Sequence, residues 1–575
     1  MLERDIRRVT RYYRARGFYD ARVESMQILP DDGEVDIEIR VDEGEPVVVR
    51  RLVLTGHEGL PARERRAVIS AVKLEKGRRF EEGLYDQSRE SIVRELRNRG
   101  RARATASGRV EVHTDTRRAD VTLTVSAGPV CRFRHIRVHG LRTISATRVI
   151  VAMGIDRGDK FSDKVLEDAQ SGLFGLGVFE RVSVQPVVHP TRPVVDVNVE
   201  VMESDFQRLR FGAGFSVDNA RSEVHETNSW EHRNLFGGLQ LLRITLKPGL
   251  AVSPSLFNRE RTGFDLATGV DFTWPGFFER ETTLIHHGSY KVGNDTLAAN
   301  ICRHDVRTSV GLARPLAPWL RGTVSHEVQF YKPVDRLPPL TCDDPARAAS
   351  PYGLTVLSYL SETLVVDLRD DPLRTRRGGY FSLTVSESAP GVFSDAGFLS
   401  VYQDARAFLQ PLRRLGFAGR LGVGRAFPLP ADTILPATLR FFSGGASSVR
   451  GYPTNTIGAY NCPEDPETEC ISLGGDVKWE ASIEARLGVL SWLRLVAFFD
   501  AGDSFLPVIG EKLDLGRHHA SAGGGLRFDT PVGPFRIDVA ARLRSDRRPE
   551  EERAPLSLLG LELPITIHLA LGEAY

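Results

Sequence analysis

Asp476–Leu487 alternates without a break: Val477, Trp479, Ala481, Ile483, Ala485 and Leu487 fall on one face, and Asp476, Lys478, Glu480, Ser482, Glu484 and Arg486 on the other. Period-two alternation of this kind specifies a β-strand with one apolar and one wet side. Leu493–Gly502, Gly525–Asp529, Phe535–Leu543 and Ile565–Tyr575 repeat it. From about residue 206 onward glycine and aromatic residues rise and helical periodicity disappears. Further strands are expected to start near 207, 222, 239, 262, 280, 299, 319, 355, 379, 399 and 416. The tally is about sixteen, an even number inside the range of single-chain outer-membrane barrels. A soluble antiparallel sandwich would need sheets beyond the roughly ten strands at which they split, and no helical layer follows to cover the apolar faces. The expected fold class is α+β repeats followed by an all-β transmembrane barrel of about 16 antiparallel strands.

Composition agrees with this reading and narrows the function. The 76 basic and 75 acidic residues nearly cancel, so no bulk field argues for nucleic acid as a partner. No apolar run approaches the roughly 18 residues of a membrane helix, so a span here must be a barrel. The first residues show no charged-then-apolar-then-small export signal. The chain opens inside a helical pattern (Ile6, Val9, Tyr12, Tyr13), as expected of a truncated or wrongly started N-terminus.

The first 205 residues repeat. Helical segments run into Arg16-Gly17-Phe18, Arg99-Gly100-Arg101 and Leu176-Gly177-Val178, each glycine placed to stop a helix and feed a strand. Glu43-Gly44-Glu45-Pro46 and Ala127-Gly128-Pro129 each precede a new strand. The unit reads strand, helix, helix, strand, strand over roughly 80 residues. Expected boundaries are a partial unit at 1–45, full units at 46–127 and 128–205, and a barrel at 206–575 carrying an inserted loop around 443–474.

That loop holds Gly444-Gly445 and Val449-Arg450-Gly451-Tyr452. Downstream lie Phe498-Phe499-Asp500-Ala501-Gly502 and Asp529-Thr530-Pro531-Val532-Gly533-Pro534-Phe535; upstream lie Arg233-Asn234-Leu235-Phe236-Gly237 and Asp367-Leu368-Arg369-Asp370-Asp371-Pro372 with Gly378-Gly379-Tyr380. In this order and spacing the chain resembles the outer-membrane assembly family of BamA, TamA and the two-partner-secretion transporters, whose soluble repeats are called POTRA domains. The count of units resembles the TamA-type members, barrel subunits of the translocation and assembly module. That likeness implies outer-membrane lipids around the barrel, periplasmic POTRA domains, a TamB-like periplasm-spanning partner, and unfolded outer-membrane or secreted proteins as clients. BamA-like general insertion and secretion of one dedicated exoprotein are the alternatives.

The resemblance also implies that the loop folds back into the barrel, and the residues fit. With Leu493, Leu495, Ala497 and Phe499 toward lipid, Asp500 faces the lumen with Arg494 and Phe498, as do Glu480 and Glu484 one strand earlier. A guanidinium taken into a low-dielectric lumen must be paired, and its fork suits carboxylates. Arg450 is expected on Asp500, with Glu484 as second partner and Gly451, Tyr452, Phe498 and Gly502 completing the lock. The alternative is a solvated arginine in a surface turn. The second constellation is the seam. Glycines weaken strand pairing, and the first strand carries Gly212 and Gly214 between Phe211 and Phe215. The last strand carries Leu569, Leu571 and a terminal Tyr575. A poorly paired seam could open and template an incoming strand; a closed structural seam is the alternative. Cys462 and Cys470, with seven residues between them in a chain bound for an oxidising compartment, suggest a disulfide-closed hairpin. Cys131, Cys302 and Cys342 are expected as free thiols. No Walker loop, H-E-x-x-H or G-x-S-x-G is present, so neither an enzyme nor a cofactor is implied.

Overall fold

The computed structural model describes residues 2–31, 34–217, 222–254, 259–294, 302–334, 336–337, 340–341, 354–372, 374–389, 391, 393–431, 433–461, 471–507, 518–530, 533–545, 556–558, 561–563 and 565–571. The chain divides into two compact units, Met1–Ser204 and Asp205–Tyr575.

In the first unit, helix α1 (Leu2–Ala15) precedes an antiparallel hairpin of β1 (Arg22–Asp31) and β2 (Glu34–Asp42). A complete module follows: β3 (Val48–Thr55), α2 (Ala62–Ala71), α3 (Glu82–Arg97), β4 (Thr105–His113) and β5 (Arg118–Ser126). Its sheet order is β3-β5-β4, with β3 parallel and β4 antiparallel to β5. The module recurs as β6 (Arg132–His139), α4 (Ala146–Met153), α5 (Asp163–Gly175), β7 (Phe179–Val188) and β8 (Val194–Glu203), ordered β6-β8-β7. The central strand is the most deeply buried in each copy because it is flanked on both edges. Ala119, Val121, Leu123 and Val125 of β5 alternate into a core shared with Val68, Ile92 and Leu96. The three helix-stopping glycines, Gly17, Gly100 and Gly177, have φ of +90°, +91° and +64°, a left-handed conformation that an L side chain resists.

One ion pair in the second module sets a pH dependence. The Arg134 fork donates to both Asp196 oxygens at 2.9 and 2.7 Å. With the His135 N–H it holds the Asp196 carboxyl down at about 2, against the upward push of burial. A folded value below the ordinary 3.8 contributes stability above about pH 4, lost as pH falls toward 2. Asp196→Asn should therefore cost roughly 1 kcal/mol at neutral pH after solvent screening. Hydrogen exchange of β6–β8 in the full chain should then vary less with pH between 4 and 2 than in the parent.

The second unit is built on a 16-stranded antiparallel sheet, accompanied among the described residues by three short two-stranded ribbons. Its strands are β9 (Gln207–Val217), β10 (Ser222–His232), β11 (Leu241–Pro254), β12 (Arg259–Pro275), β13 (Thr283–Asn294), β14 (Cys302–Ala317), β15 (Leu320–Val334), β16 (Thr355–Asp367), β17 (Gly378–Ser388), β18 (Gly397–Leu409), β19 (Leu415–Leu429), β20 (Val477–Gly488), β21 (Leu493–Phe505), β22 (His519–Thr530), β23 (Gly533–Ser545) and β24 (Ile565–Leu571). Each pairs with its sequence neighbours. Among the described residues no ladder joins β9 to β24, yet their Cα atoms come within 8 Å, so the sheet returns on itself as a barrel. The pleat decides what goes where. Phe417, Leu421, Ile483, Leu487, Leu495 and Phe499 are exposed on the outside, while Glu480, Glu484, Asp500, Arg527 and Asp538 are buried within. Apolar outside and charged inside is the polarity of a membrane-embedded barrel. No helix among the described residues is long and apolar enough to cross a membrane.

Candidate functional site: the returning loop and the barrel seam

The segment between β19 and β20 turns back against the inner wall. Phe441 bridges to Gly475 and Ser443 to Ile457, which closes its stem. Gly444 and Gly445, at φ +101° and +98°, make the reversal. Val449, Tyr452 and Ile457 then bury one another completely. This small apolar knot presents Arg450 and Gly451 to strands β20–β24.

Arg450 is 1 % exposed. Its Nε and one terminal nitrogen donate to the two oxygens of Asp500 at 2.8 and 2.7 Å. The other terminal nitrogen donates to Glu484 at 2.6 Å, and the one bonded to Asp500 also donates to the Ser482 hydroxyl at 3.2 Å. The Arg450 backbone N–H also donates to Asp500, at 3.1 Å. The flat guanidinium lies 3.5 Å over the Phe498 ring, a stacking contact that its in-plane hydrogen bonds leave free. Glu484 also accepts from Arg486 at 2.9 Å, and Asp538, 3.7 Å from Arg450, accepts from Arg527 at 2.6 Å. The buried charges alternate in sign, as a low-dielectric interior requires.

Gly451 sits closer to the wall than any other residue type could. A Cβ there would lie 2.5 Å from the Ser521 Cβ. Its N–H donates to the Ser521 hydroxyl at 3.1 Å, and its carbonyl accepts from Arg542 and Thr566 at 2.8 and 2.9 Å. The Tyr452 hydroxyl donates to the Arg544 carbonyl, and its ring meets His519 edge-on at 5.1 Å. Gly502 meets the neighbouring strand. It lets β21 press on β20, where a Cβ would sit 2.7 Å from the Trp479 carbonyl. A second anchor holds the loop lower down. Arg420, bonded to Asp404 at 2.7 Å, donates to the Ser447 carbonyl at 2.7 Å, and the Ser448 hydroxyl donates to Glu480.

At the seam, Phe211 and Phe215 stand 75 % and 67 % exposed on the outer face. Gly214 makes room for His225, whose imidazole would lie 2.5 Å from any Cβ there. On the far lip Leu569 pairs with Ile537 and Leu571 with Phe535. Tyr575 lies outside the described residues.

Residues 234–557, more than half the chain, match the model of the Omp85 superfamily domain. The chain belongs to the Omp85 superfamily. Residues 1–44 and 131–204 match a second model, a surface antigen variable number repeat of the POTRA type. Among curated proteins, the outer membrane protein assembly factor BamA of Neorickettsia risticii is 23 % identical over 92 % of this chain and 68 % of its own length. The protein of that name from Nitratidesulfovibrio vulgaris is 22 % identical over 96 % and 66 %. The chain thus spans about two thirds of the length of these relatives. Among solved structures, Haemophilus ducreyi BamA lacking POTRA domains 1–3 superposes with a TM-score of 0.62 at 16 % identity, covering 91 % of this chain and 99 % of that one. Membership places this Omp85 barrel in a bacterial outer membrane with its POTRA-type modules on the periplasmic side.

Several residues of this Omp85 site escape a reading of the sequence. Asp538, Ser521, Arg542, Thr566 and His568 all contact or border the loop tip. Only the inward parity of charged residues in β23, with Arg536, Asp538 and Arg542 on one face, gives any signal. The cysteines need one correction. Cys302, expected as a free thiol, is disulfide-bonded; it begins β14, on a chain exported to an oxidising compartment. Cys131 is a free, buried thiol. Cys342, Cys462 and Cys470 lie outside the described residues.

Proposed function

We propose that this Omp85 protein is an outer-membrane assembly factor that passes client strands through the β9–β24 junction by strand augmentation. The observation that carries the reading is that junction itself: two adjacent strands with no ladder between them among the described residues, one lined by glycines. An unpaired edge offers a row of backbone donors and acceptors to an extended chain. The free energy of folding the client then drives insertion, with no nucleotide and no cofactor. The lock at Arg450 keeps the loop seated while the junction parts.

In the finer reading the protein is TamA-like. Its POTRA-type modules would engage a TamB-like, periplasm-spanning partner, and outer-membrane lipids would receive the client laterally. A BamA-like general insertase is the second reading, favoured by the names of its relatives. Reconstituted in liposomes of outer-membrane lipid, the protein should accelerate insertion of unrelated barrel proteins. A disulfide staple between β9 and β24 should abolish the acceleration, and reduction should restore it. Unchanged acceleration with the staple closed would refute the seam mechanism; export of a single soluble partner alone would point to a dedicated secretion pore. Retention of a TamB-like protein on the POTRA-type modules separates the TamA-like from the BamA-like reading.

A further inference from the structure

The last strand has an unusual problem of register. Among the described residues strand β24 is laddered on one side only, to β23, through seven residue pairs from Ala541–Ile565 to Phe535–Leu571. Its outward residues are Ile565, Ile567 and Leu569. They pair with Ala541, Val539 and Ile537. A slip of one residue would turn this apolar row into the lumen and is excluded by the pleat. A slip of two is not excluded: it again sets aliphatic side chains against an apolar row and keeps every polar residue inside. The apolar pattern of this strand therefore leaves its register undecided.

The inward residues are not degenerate. Thr566 donates its hydroxyl to the Gly451 carbonyl at 2.9 Å, and His568, with its proton on Nε2, donates to the Arg450 carbonyl at 2.8 Å. Both are buried, at 0 % and 2 % exposure. Ala570, next on the same face, has no donor to offer. Two consecutive loop carbonyls thus meet the two consecutive donor-bearing side chains of the inward row. The carbonyls themselves are fixed, since Arg450 is held by Asp500 and Glu484 and Gly451 is pressed on Ser521. Moving β24 by two residues in one direction would bring Ala570 to the place of His568, and in the other would bring Thr566 there and leave Gly451 without its hydroxyl.

We propose that Thr566 and His568 are positioning residues through which the seated loop reads and fixes the register of the last strand, and with it one lip of the seam. The loop motif is then a gauge for β24 as well as a plug. This holds whether or not the seam admits clients, so its test does not depend on insertion activity.

Disulfide reporters in the full barrel decide it. Val539→Cys with Ile567→Cys should cross-link in the present register, while Val539→Cys with Ile565→Cys or with Leu569→Cys should cross-link only after a two-residue slip, because diagonal neighbours lie beyond disulfide reach. In an otherwise unaltered chain only the first pair should close. Adding Thr566→Val and His568→Leu should raise the slipped product about tenfold or more, as expected for two lost hydrogen bonds. Thr566→Ser with His568→Gln, which keeps a donor at each site, should hold the original register. Should the double variant fail to assemble, the single changes should each give a smaller rise. The inference is overturned if an assembled double or single variant still cross-links only in the original register, or if the slipped pairs close equally well in the unaltered chain.

Discussion

Replacing Arg450 with alanine should unseat the loop and cost the barrel about 3–5 kcal/mol, the usual penalty for removing one member of a buried ion pair. Five hydrogen bonds converge on this residue's side chain and backbone N–H. Without the guanidinium, Asp500 becomes a carboxylate at 0 % exposure with no cation, left with the Ser482 hydroxyl and the backbone N–H of residue 450. The folded, heat-resistant form on gels should weaken or vanish, and the loop should become open to external protease. Arg450→Lys should rescue only in part: an ammonium supplies the charge but cannot span both Asp500 oxygens and Glu484 at once. An alanine variant as stable and as protease-resistant as the parent would mean that the loop is held by other contacts.

Gly451→Val should be the second most damaging single change. The new Cβ would begin 2.5 Å from the Ser521 Cβ and 3.4 Å from the Ala541 carbonyl oxygen. Neither neighbour can retreat, because both belong to laddered strands. The tip must lift, and with it go the bonds from Arg542 and Thr566 to the Gly451 carbonyl. Overpacking typically costs about 1–3 kcal/mol, and each lost hydrogen bond adds roughly 1 kcal/mol. We expect a total of about 3–4 kcal/mol, read as a lowered unfolding midpoint in urea. Ser521→Gly should recover part of the loss for Gly451→Ala but not for Gly451→Val. If valine were tolerated at full stability, the close approach would not matter.

The barrel was legible because each strand announces its two faces. All sixteen strand positions follow from alternation, and the largest disagreement is instructive. Strand β22 begins at His519, six residues before the alternation becomes clear at Gly525. Its outward positions there are Ala520, Ala522 and Gly524, too small to contrast with Ser521 and Gly523 on the inside. That the loop returns into the barrel follows from the family resemblance; parity and charge then pick Asp500 and Glu484 as the partners of Arg450. Ser521, Asp538, Thr566 and His568 could not be picked in this way, because their nearness to the loop depends on the registers of β22, β23 and β24 in series. An error of two residues in any one ladder would leave every face correct and every neighbour wrong. The TamA-like assignment rests on counting modules, whereas the matched relatives carry the BamA name.

The acids around Arg450 are not equivalent. Glu484 keeps Arg486, and Asp538 keeps Arg527, whatever happens to the loop. Among the described residues Asp500 has no cation but Arg450. Loss of Arg450 therefore leaves Glu484 and Asp538 each with a cation but strands Asp500, so Arg450 and Asp500 can be abandoned only as a pair. A lineage that replaced the arginine would be expected to have replaced that aspartate in the same stretch of its history, while the other two carboxylates stayed with Arg486 and Arg527.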